Sequence, residues 1–385
     1  MASYSKALRI LIAPNAFKES VSAIEAARCM AKGVRKGLPN ARIIEVPIAD
    51  GGDGTLEAVI SGTSGRILTA KVTGPLGNKI SAAYGITGDG KTAVIEMSRA
   101  SGLALVPEAR RDPMRTTSFG TGELIQAALD RGVSRILLGI GGSATVDGGI
   151  GALQALGVSF LDSRGRPVGL GGSGLLAIDR IDLRKLRKGL KNTEILVACD
   201  VDNPLTGPKG AAAVFGPQKG ATPAMVKRLD VGLKRLALLM TGLTGKNVAA
   251  IPGTGAAGGI AGSFLGLVGA KLRPGSELVF GLLRLNKIIS KMDWVITGEG
   301  QIDFQTQFGK GPGMLAKLAA SHGVPVVGIA GSLTDDAGRL GKKGFTALFS
   351  IANRPFDLAT AIRDAPKLIE HTAEQIARLI GAASR

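Results

Sequence analysis

Three short segments combine glycines with carboxylates, and each follows a run of apolar residues typical of a buried strand. The first covers residues 48–55, with Asp50 and Asp53. The second covers residues 139–149, and the third covers residues 297–303, followed by Lys310. Glycine lets backbone N–H groups approach a polyanion closely, and carboxylates at the carboxyl end of a strand can hold Mg²⁺ against it. These segments therefore indicate a site that handles phosphate.

Within these segments, the N–H groups of Gly141, Gly142 and Ser143 are the predicted cradle for phosphate. Six carboxylates follow predicted strands, where open α/β sheets gather their ligands: Asp50, Asp53, Asp147, Asp200, Glu299 and Asp303. An aspartate beside glycine also occurs in loops for purely conformational reasons, so each one taken singly has that alternative. Lys18 stands just past the first strand at a helix start, where it either meets an anion or is an ordinary solvated lysine.

The elements that must position these residues change character along the chain. Both ends alternate strand and helix, with strands predicted at residues 8–13, 42–49, 294–297, 324–330 and 345–350 and helices at 22–38, 314–322 and 366–380. The middle begins with short strands at residues 68–72, 80–86 and 92–97, which predict an antiparallel meander. Further helices are predicted at residues 121–131, 227–240 and 255–268, with strands at 135–140 and 195–199.

This pattern predicts an α/β protein with two domains, in keeping with 385 residues of which 45% are hydrophobic. Residues 1–66 and 291–385 are expected to form one discontinuous, doubly wound parallel-sheet domain of the Rossmann or flavodoxin type. Residues 67–290 are expected to form an inserted, mixed α/β domain. The cleft between the domains is the expected site.

Composition narrows the class of partner. The net charge is +18, but the basic residues are scattered, and with 1 Trp and 2 Tyr the chain has few aromatic platforms for bases, so we expect no nucleic-acid partner. No apolar run approaches the length of a membrane span, and we expect no membrane association. Cys29 and Cys199 lie far apart outside any metal-binding pattern, which favours a reducing, cytoplasmic location.

Two glycine motifs admit other functions. Residues 85–92 match a P-loop formally, but a strand rather than a helix follows them, so they predict a hairpin turn. Residues 139–144 match a dinucleotide-binding motif, with Asp162 where a ribose-binding acid belongs, and a nicotinamide-dependent oxidoreductase of a small hydroxy acid stays a lesser alternative. A basic, polyanion-binding protein is a second alternative, for which duplex DNA affinity with a steep salt dependence would be the signature.

Longer strings carry a more specific signal. The chain contains, in order, Phe17-Lys18-Glu19-Ser20, Ala49-Asp50-Gly51-Gly52-Asp53-Gly54, Thr73-Gly74-Pro75-Leu76-Gly77, Gly120-Thr121-Gly122-Glu123-Leu124, residues 139–149, residues 198–205, residues 210–220, residues 252–259, and residues 297–303 with Lys310. Over essentially its whole length the chain resembles the bacterial glycerate kinase family. It departs from the family at Asn15-Ala16, where Asp-Ser is usual, and at Glu19, where Gly is usual.

The resemblance implies a kinase that uses ATP and Mg²⁺ to phosphorylate D-glycerate. The chain is similar to the branch of the family that makes 2-phosphoglycerate, and 3-phosphoglycerate is the alternative product. Phosphoryl transfer needs positioning and charge neutralisation more than covalent help. We therefore expect Gly298 and Gly300 to join the nucleotide site, Glu299 and Asp303 to hold Mg²⁺, and Lys18 and Lys310 to neutralise charge. Asp200, at the end of a predicted buried strand, is the expected base, with Asp50 as its competitor. A monomer or a homodimer is expected.

Overall fold

The computed structural model describes residues 7–17, 19–307, 311–355 and 357–383. Its strands are β1 (Arg9–Ile12), β2 (Arg42–Glu45), β3 (Arg66–Thr73), β4 (Lys79–Ile86), β5 (Thr92–Glu96), β6 (Arg135–Gly139), β7 (Ser159–Leu161), β8 (Arg180–Asp182), β9 (Glu194–Ala198), β10 (Lys271–Arg273), β11 (Trp294–Ile302), β12 (Val326–Leu333) and β13 (Ala347–Ser350). Its α-helices are α1 (Ala23–Gly37), α2 (Thr55–Gly62), α3 (Ser98–Ser101), α4 (Phe119–Leu129), α5 (Ile150–Ala155), α6 (Ala211–Phe215), α7 (Pro223–Thr244), α8 (Ile260–Val268), α9 (Gly275–Leu282), α10 (Leu285–Ile289), α11 (Gly311–Ser321) and α12 (Leu358–Ala383).

The chain divides into two compact units. The terminal unit comprises Met1–Asp50, Glu57–Thr63 and Val279–Arg385, and the inserted unit comprises Gly51–Leu56 and Ser64–Leu278. The domain boundaries expected from the sequence, at residues 66/67 and 290/291, stay a prediction.

The terminal unit is built on a five-stranded sheet in the order β13-β12-β11-β1-β2, and all its pairs are parallel. Numbered within the unit, this order is 5-4-3-1-2, the flavodoxin-type order. The chain therefore switches direction across the sheet between β1 and β11, where Ile10 is aligned with Trp294. The carboxyl ends of those two strands are the position at which such sheets gather ligands.

Helices α1 and α12 pack against each other in the terminal unit. Ser22 caps α1, since its hydroxyl accepts the N–H of Glu25. Gly33 lets the backbones approach, because a Cβ there would lie 2.1 Å from the carbonyl oxygen of Glu370. Lys32 and Lys36 both pair with the Glu370 carboxylate. The helix contact thus needs a glycine at residue 33 and has charged partners at its rim.

Helix α12 begins eight residues before the predicted start at Pro366. Proline is common in the first turn of a helix and costly inside one, because it cannot donate to the carbonyl four residues earlier. Here that carbonyl belongs to Ile362, and the hydroxyl of Ser20 donates to it at 2.9 Å. A long-range side chain thus supplies the hydrogen bond that Pro366 cannot, and the sequence pattern near the proline gives no sign of it.

The inserted unit is built on a six-stranded sheet in the order β10-β9-β6-β5-β4-β3. The pairs β3/β4 and β4/β5 are antiparallel, which confirms the predicted meander, and residues 85–92 form the predicted strand-turn-strand rather than a P-loop. The pairs β5/β6, β6/β9 and β9/β10 are parallel. Strands β7 and β8 form a separate two-stranded sheet. Four parallel strands therefore end at the same edge.

The helix predicted over residues 255–268 is interrupted. Ala257 and Gly258 have φ of +52° and +72°, and α8 begins only at Ile260. A Cβ at Gly258 would lie 2.0 Å from the carbonyl oxygen of Thr145, so the turn allows two backbones to touch. Strand β11, in contrast, is longer than predicted: it was expected to end at Thr297 and continues to Ile302.

Candidate active site

Loop 139–149, which follows β6 in the inserted unit, has its carbonyl groups turned towards the protein. The N–H of Leu103 donates to the Gly142 carbonyl at 2.7 Å, and the hydroxyl of Thr116 donates to the Ala144 carbonyl at 2.8 Å. Gly141 and Gly142 are exposed. Across residues 7–17, 19–307, 311–355 and 357–383, no protein acceptor takes the N–H of Gly141, Gly142 or Ser143. Consecutive free N–H groups of this kind form a concavity that suits an anion.

A second predicted segment lies beside this loop. A Cβ on Gly139 would be 2.7 Å from the Gly51 carbonyl oxygen, and one on Gly141 would be 3.5 Å from the Cα of Gly52. The hydroxyl of Ser98, just after β5, donates to Oδ1 of Asp53 at 3.0 Å. Two of the three glycine segments predicted from the sequence are thus in contact. Asp50 directly precedes Gly51, is half-buried, and belongs to the terminal unit.

Asp200 follows the neighbouring strand β9, in which Ala198 is aligned with Gly139. Its side chain is exposed, and its Oδ1 accepts the N–H of Gly275 at 3.0 Å, at the start of α9. Asp200 therefore lies at the same edge of the sheet as loop 139–149. The hydrogen bond orients the carboxylate and also gives Asp200 a helix-capping role that the sequence pattern did not indicate.

Lys219 is a buried cation that received no role in the sequence prediction. It is 2% exposed, and its Nζ donates to the Ser143 hydroxyl and to the Thr145 carbonyl oxygen, both at 2.7 Å. Burial lowers the pKa of Lys219 to about 7, and the charge of Asp147 opposes that shift. A lysine so tightly enclosed, next to a predicted phosphate loop, is a candidate functional residue. Its two partners lie 76 and 74 residues earlier in the chain, and no local pattern links them.

Asp147, by contrast, has a structural setting. Its Oδ2 accepts the N–H and the hydroxyl of Ser118 at 2.8 and 2.7 Å, and its Oδ1 accepts the N–H of Gly149 at 3.0 Å. The side chain is fully buried. Burial raises the pKa of Asp147, and the bonds from Ser118 oppose the shift. This carboxylate ties loop 139–149 to the start of α4 and is not presented to a ligand.

A separate polar cluster lies at the switch point of the terminal unit. The N–H of Asn15 donates to the Gly298 carbonyl at 2.8 Å, which fixes the chain after β1 against β11. The Thr306 hydroxyl donates to Oε1 of Glu299 at 3.1 Å, and the Thr306 N–H donates to Oδ1 of Asp303 at 3.0 Å. Asn15 and Glu299 are each 8% exposed. The structure therefore brings the predicted carboxylates Glu299 and Asp303 together through one threonine.

Gly298 and Gly300 are strand residues rather than members of a turn. Gly298 is buried, and a Cβ there would lie 2.1 Å from the carbonyl oxygen of Ile329. The close approach of β12 to β11 therefore requires glycine at residue 298. Gly300 is half-buried, and its carbonyl oxygen faces Gly331 of β12. The packing of the two strands therefore accounts for Gly298 and Gly331.

The two departures from the family pattern also have structural correlates. Oδ1 of Asn15 accepts the N–H of the next residue, Ala16, at 2.8 Å. Glu19 has φ of +64°, a left-handed conformation that glycine adopts at lower cost. Residue 19 thus has a backbone conformation that favours glycine, although the residue here is glutamate.

The acidic pair Glu299 and Asp303 has the donor chemistry of a small metal site. No group of three or more His, Cys, Asp and Glu side chains suited to a metal occurs in the described part of the chain. Mg²⁺ bound to nucleotide phosphates commonly uses only one or two protein carboxylates and keeps several waters. Glu299 and Asp303 supply hard oxygen donors of that number and fit the ion in this way. Lys18 and Lys310, the predicted cations, lie outside the described residues.

The dinucleotide-binding alternative finds little support in the fold. A ribose-binding acid would end the strand next to β6, but Asp162 follows β7, which pairs with β8 in a sheet separate from that of β6. Its carboxylate accepts the N–H groups of Arg164 and Arg166 and pairs with the Arg166 guanidinium. The Asp162 carboxylate is therefore engaged in its own turn.

Within the described ranges, no helix has the length and apolar character needed to cross a bilayer.

Comparison with known proteins gives a consistent result. Residues 10–381 match the model of the glycerate kinase family. The chain is 48% identical over 368 residues to the glycerate kinase of Halalkalibacterium halodurans, covering 96% of this chain and 97% of that one. It is 47% identical over 378 residues to the glycerate 2-kinase of Escherichia coli K12, covering 98% and 99%. A crystal structure from Salmonella typhimurium LT2, provisionally described as glycerate kinase 2, superposes with a TM-score of 0.91 at 47% identity, covering 98% and 99%.

Proposed function

Because the chain belongs to the glycerate kinase family, we propose that it transfers the γ-phosphoryl group of ATP to the 2-hydroxyl of D-glycerate, giving 2-phosphoglycerate and ADP. The observation that carries this proposal is the identity of 47% to a glycerate 2-kinase over almost the full length of both chains. The glycerate kinase activity also has a physical counterpart in the free N–H groups of Gly141, Gly142 and Ser143.

In this proposal the free N–H groups of residues 141–143 receive phosphate oxygens of ATP. They are held in place because the neighbouring carbonyls already accept from Leu103 and Thr116. Donors fixed before the substrate arrives stabilise developing charge without reorganising during the reaction. The loop therefore contributes preset amides, two of them on the exposed residues Gly141 and Gly142 and one on the buried residue Ser143.

Glu299 and Asp303 are the proposed ligands of Mg²⁺, with Thr306 holding both carboxylates. When bound, Mg²⁺ would neutralise charge on the nucleotide phosphates. Lys18 and Lys310 are proposed to neutralise charge on glycerate and on the transferred group. Asp200 is proposed to orient the glycerate hydroxyl and take its proton, and the Gly275 N–H fixes its carboxylate for that task.

An assay with product identification tests the proposal. The purified chain is incubated with D-glycerate, ATP and Mg²⁺, ADP release is followed by a coupled assay, and the product is identified by ³¹P and ¹H NMR. We expect ADP and 2-phosphoglycerate in equal amounts, and no ADP release beyond background without the hydroxy acid. Formation of 3-phosphoglycerate would refute the assigned hydroxyl. Absence of ADP release with D-glycerate would refute the substrate.

A fluorescence titration with NADH tests the oxidoreductase alternative, which requires NADH to bind in preference to Mg-ATP.

A further inference from the structure

The side chain of Lys219 is held rigidly behind loop 139–149. The residue ends a 3-10 turn, Pro217–Lys219, that follows α6. The next residue, Gly220, has φ of +92°, and a Cβ there would lie 2.2 Å from the carbonyl oxygen of Arg111. Since both the backbone and the side chain are enclosed, Lys219 cannot turn its ammonium group towards solvent.

The hydrogen bonds of Lys219 determine which way the Ser143 hydroxyl points. An ammonium group has only donors, so Ser143 Oγ accepts the bond at 2.7 Å. The hydroxyl proton must then point away from Lys219. Across the described part of the chain, no side chain or backbone oxygen accepts that proton. It is available on the same loop as the free N–H groups of Gly141 and Gly142.

The second bond of Lys219 acts on the loop backbone. The Thr145 carbonyl oxygen accepts from Nζ at 2.7 Å, so the ammonium joins two residues of the loop. Asp147 is the carboxylate whose field acts on this cation, and Arg111, with a buried and unpartnered Nε among the described atoms, lies on the segment packed against Gly220. Burying an ammonium group is costly unless it is well paired, and two neutral acceptors compensate only in part.

We propose that Lys219 is a positioning residue for nucleotide binding: its ammonium group makes the Ser143 hydroxyl a dedicated donor to an ATP phosphate oxygen and holds residues 143–145 in the conformation that presents the loop amides. The inference rests on the proposed function only in taking loop 139–149 as the phosphate site. Lys219 touches no substrate, and it acts through Ser143 and Thr145.

The protonation state of Lys219 gives the proposal a signature that a purely structural lysine lacks. Because burial lowers the pKa of Lys219 to about 7, the side chain loses its proton within the range accessible to assay. A neutral amine can accept a hydrogen bond, so the Ser143 proton would turn towards it and away from the nucleotide. Affinity for ATP should therefore be highest below this pKa and should fall as the pH rises through about 7.

Isothermal titration of ATP, without glycerate, measures the effect. Lys219→Met keeps the length of the side chain and removes the donors, and we expect it to weaken ATP binding about 10- to 100-fold, the usual range for a hydrogen bond to a charged group. It should also remove the fall in affinity near pH 7, while the titration of ATP itself is common to both proteins. Lys188→Met, an exposed lysine with the same charge change, should bind ATP as the wild type does.

Ser143→Ala guards against misfolding of the Lys219 variant, since it leaves Lys219 with the Thr145 carbonyl. It should weaken ATP binding by about tenfold, and adding Lys219→Met should cost less than the product of the two single effects. Wild-type affinity in Ser143→Ala, independent effects in the double variant, or an unchanged pH profile in Lys219→Met would overturn the proposal. If the variants change ATP binding as expected but the wild-type protein does not phosphorylate D-glycerate, the proposed function is overturned and the role of Lys219 in ATP binding stands.

Discussion

At the scale of single residues, Asp200 is the most informative target in the proposed chemistry. Replacing Asp200 with Asn keeps the shape and can still accept the Gly275 N–H through the amide oxygen, but it removes the basic oxygen. We expect turnover to fall by about 10²- to 10⁴-fold, with ATP affinity nearly unchanged. Steady-state kinetics and ATP titration together measure both quantities.

The matched control is Asp202→Asn, which changes an exposed carboxylate two residues further along and should leave turnover within error of the wild type. Asp50→Asn tests the competing residue. A greater loss of turnover in Asp50→Asn than in Asp200→Asn would transfer the role of base to Asp50. Near wild-type turnover in Asp200→Asn would remove Asp200 from the chemistry.

Residue patterns alone predicted part of the contacts around loop 139–149, while the roles of these residues stay a proposal. Glycines beside carboxylates after apolar runs predicted a contact set that the fold brings together, as with Gly52 and Gly141. The same signal also selected Asp147, which is buried in structural hydrogen bonds, and it passed over Lys219. Local spacing reports backbone conformation well. It cannot report which side chain from a distant segment reaches a loop.

At the scale of elements, the contact of α1 with α12 makes a sharp prediction. Gly33→Ala would place a Cβ 2.1 Å from the Glu370 carbonyl oxygen, so the helices must separate. Overpacking of a close contact typically costs about 1 to 3 kcal/mol, and we expect the free energy of unfolding to fall by that amount. Urea denaturation gives the value directly.

Gly281→Ala provides the control for helix propensity. Gly281 lies in α9, and a Cβ added there would have no neighbouring atom within 4 Å, so alanine should stabilise the protein by up to about 1 kcal/mol. Equal effects of the two substitutions would show that the contact at Gly33 is not tight.

Sequence periodicity placed most elements correctly and erred where distant groups intervene. The meander β3–β5 followed from short alternating runs and turn residues, which are local signals. The start of α12 did not, because the hydroxyl of Ser20 compensates for Pro366 from the other end of the chain. The break before α8 arises where the Gly258 backbone meets the Thr145 carbonyl, again a long-range cause.

At the scale of the whole molecule, the order of the strands predicts a sequence of folding events. The terminal sheet needs β1 to pair with β11, and the Arg9–Asp293 ion pair beside them joins residues 284 apart. Strands β3 to β10 of the inserted unit come from one continuous stretch. Closing the longer loop costs more chain entropy, so we expect the terminal sheet to form last.

The single tryptophan makes this measurable, since Trp294 lies in β11. On dilution from denaturant, the far-UV circular dichroism should recover mostly in a fast phase, and the Trp294 fluorescence should recover in a slower one. As a control, a Trp294→Phe, Val214→Trp variant moves the probe to α6, where fluorescence should follow the fast phase. A common rate constant for dichroism and Trp294 fluorescence would contradict this order.

The parallel pairing of β1 with β11 has a consequence during synthesis. Ile10, Leu11 and Ile12 are fully enclosed in the folded protein, yet β11 to β13 leave the ribosome only after all the strands of the inserted unit. Until then, the apolar strand β1 can pair with β2 but lacks β11, its neighbour on the other side. A polypeptide released early would keep that strand uncovered, which makes incomplete products recognisable to the cell's chaperones and proteases.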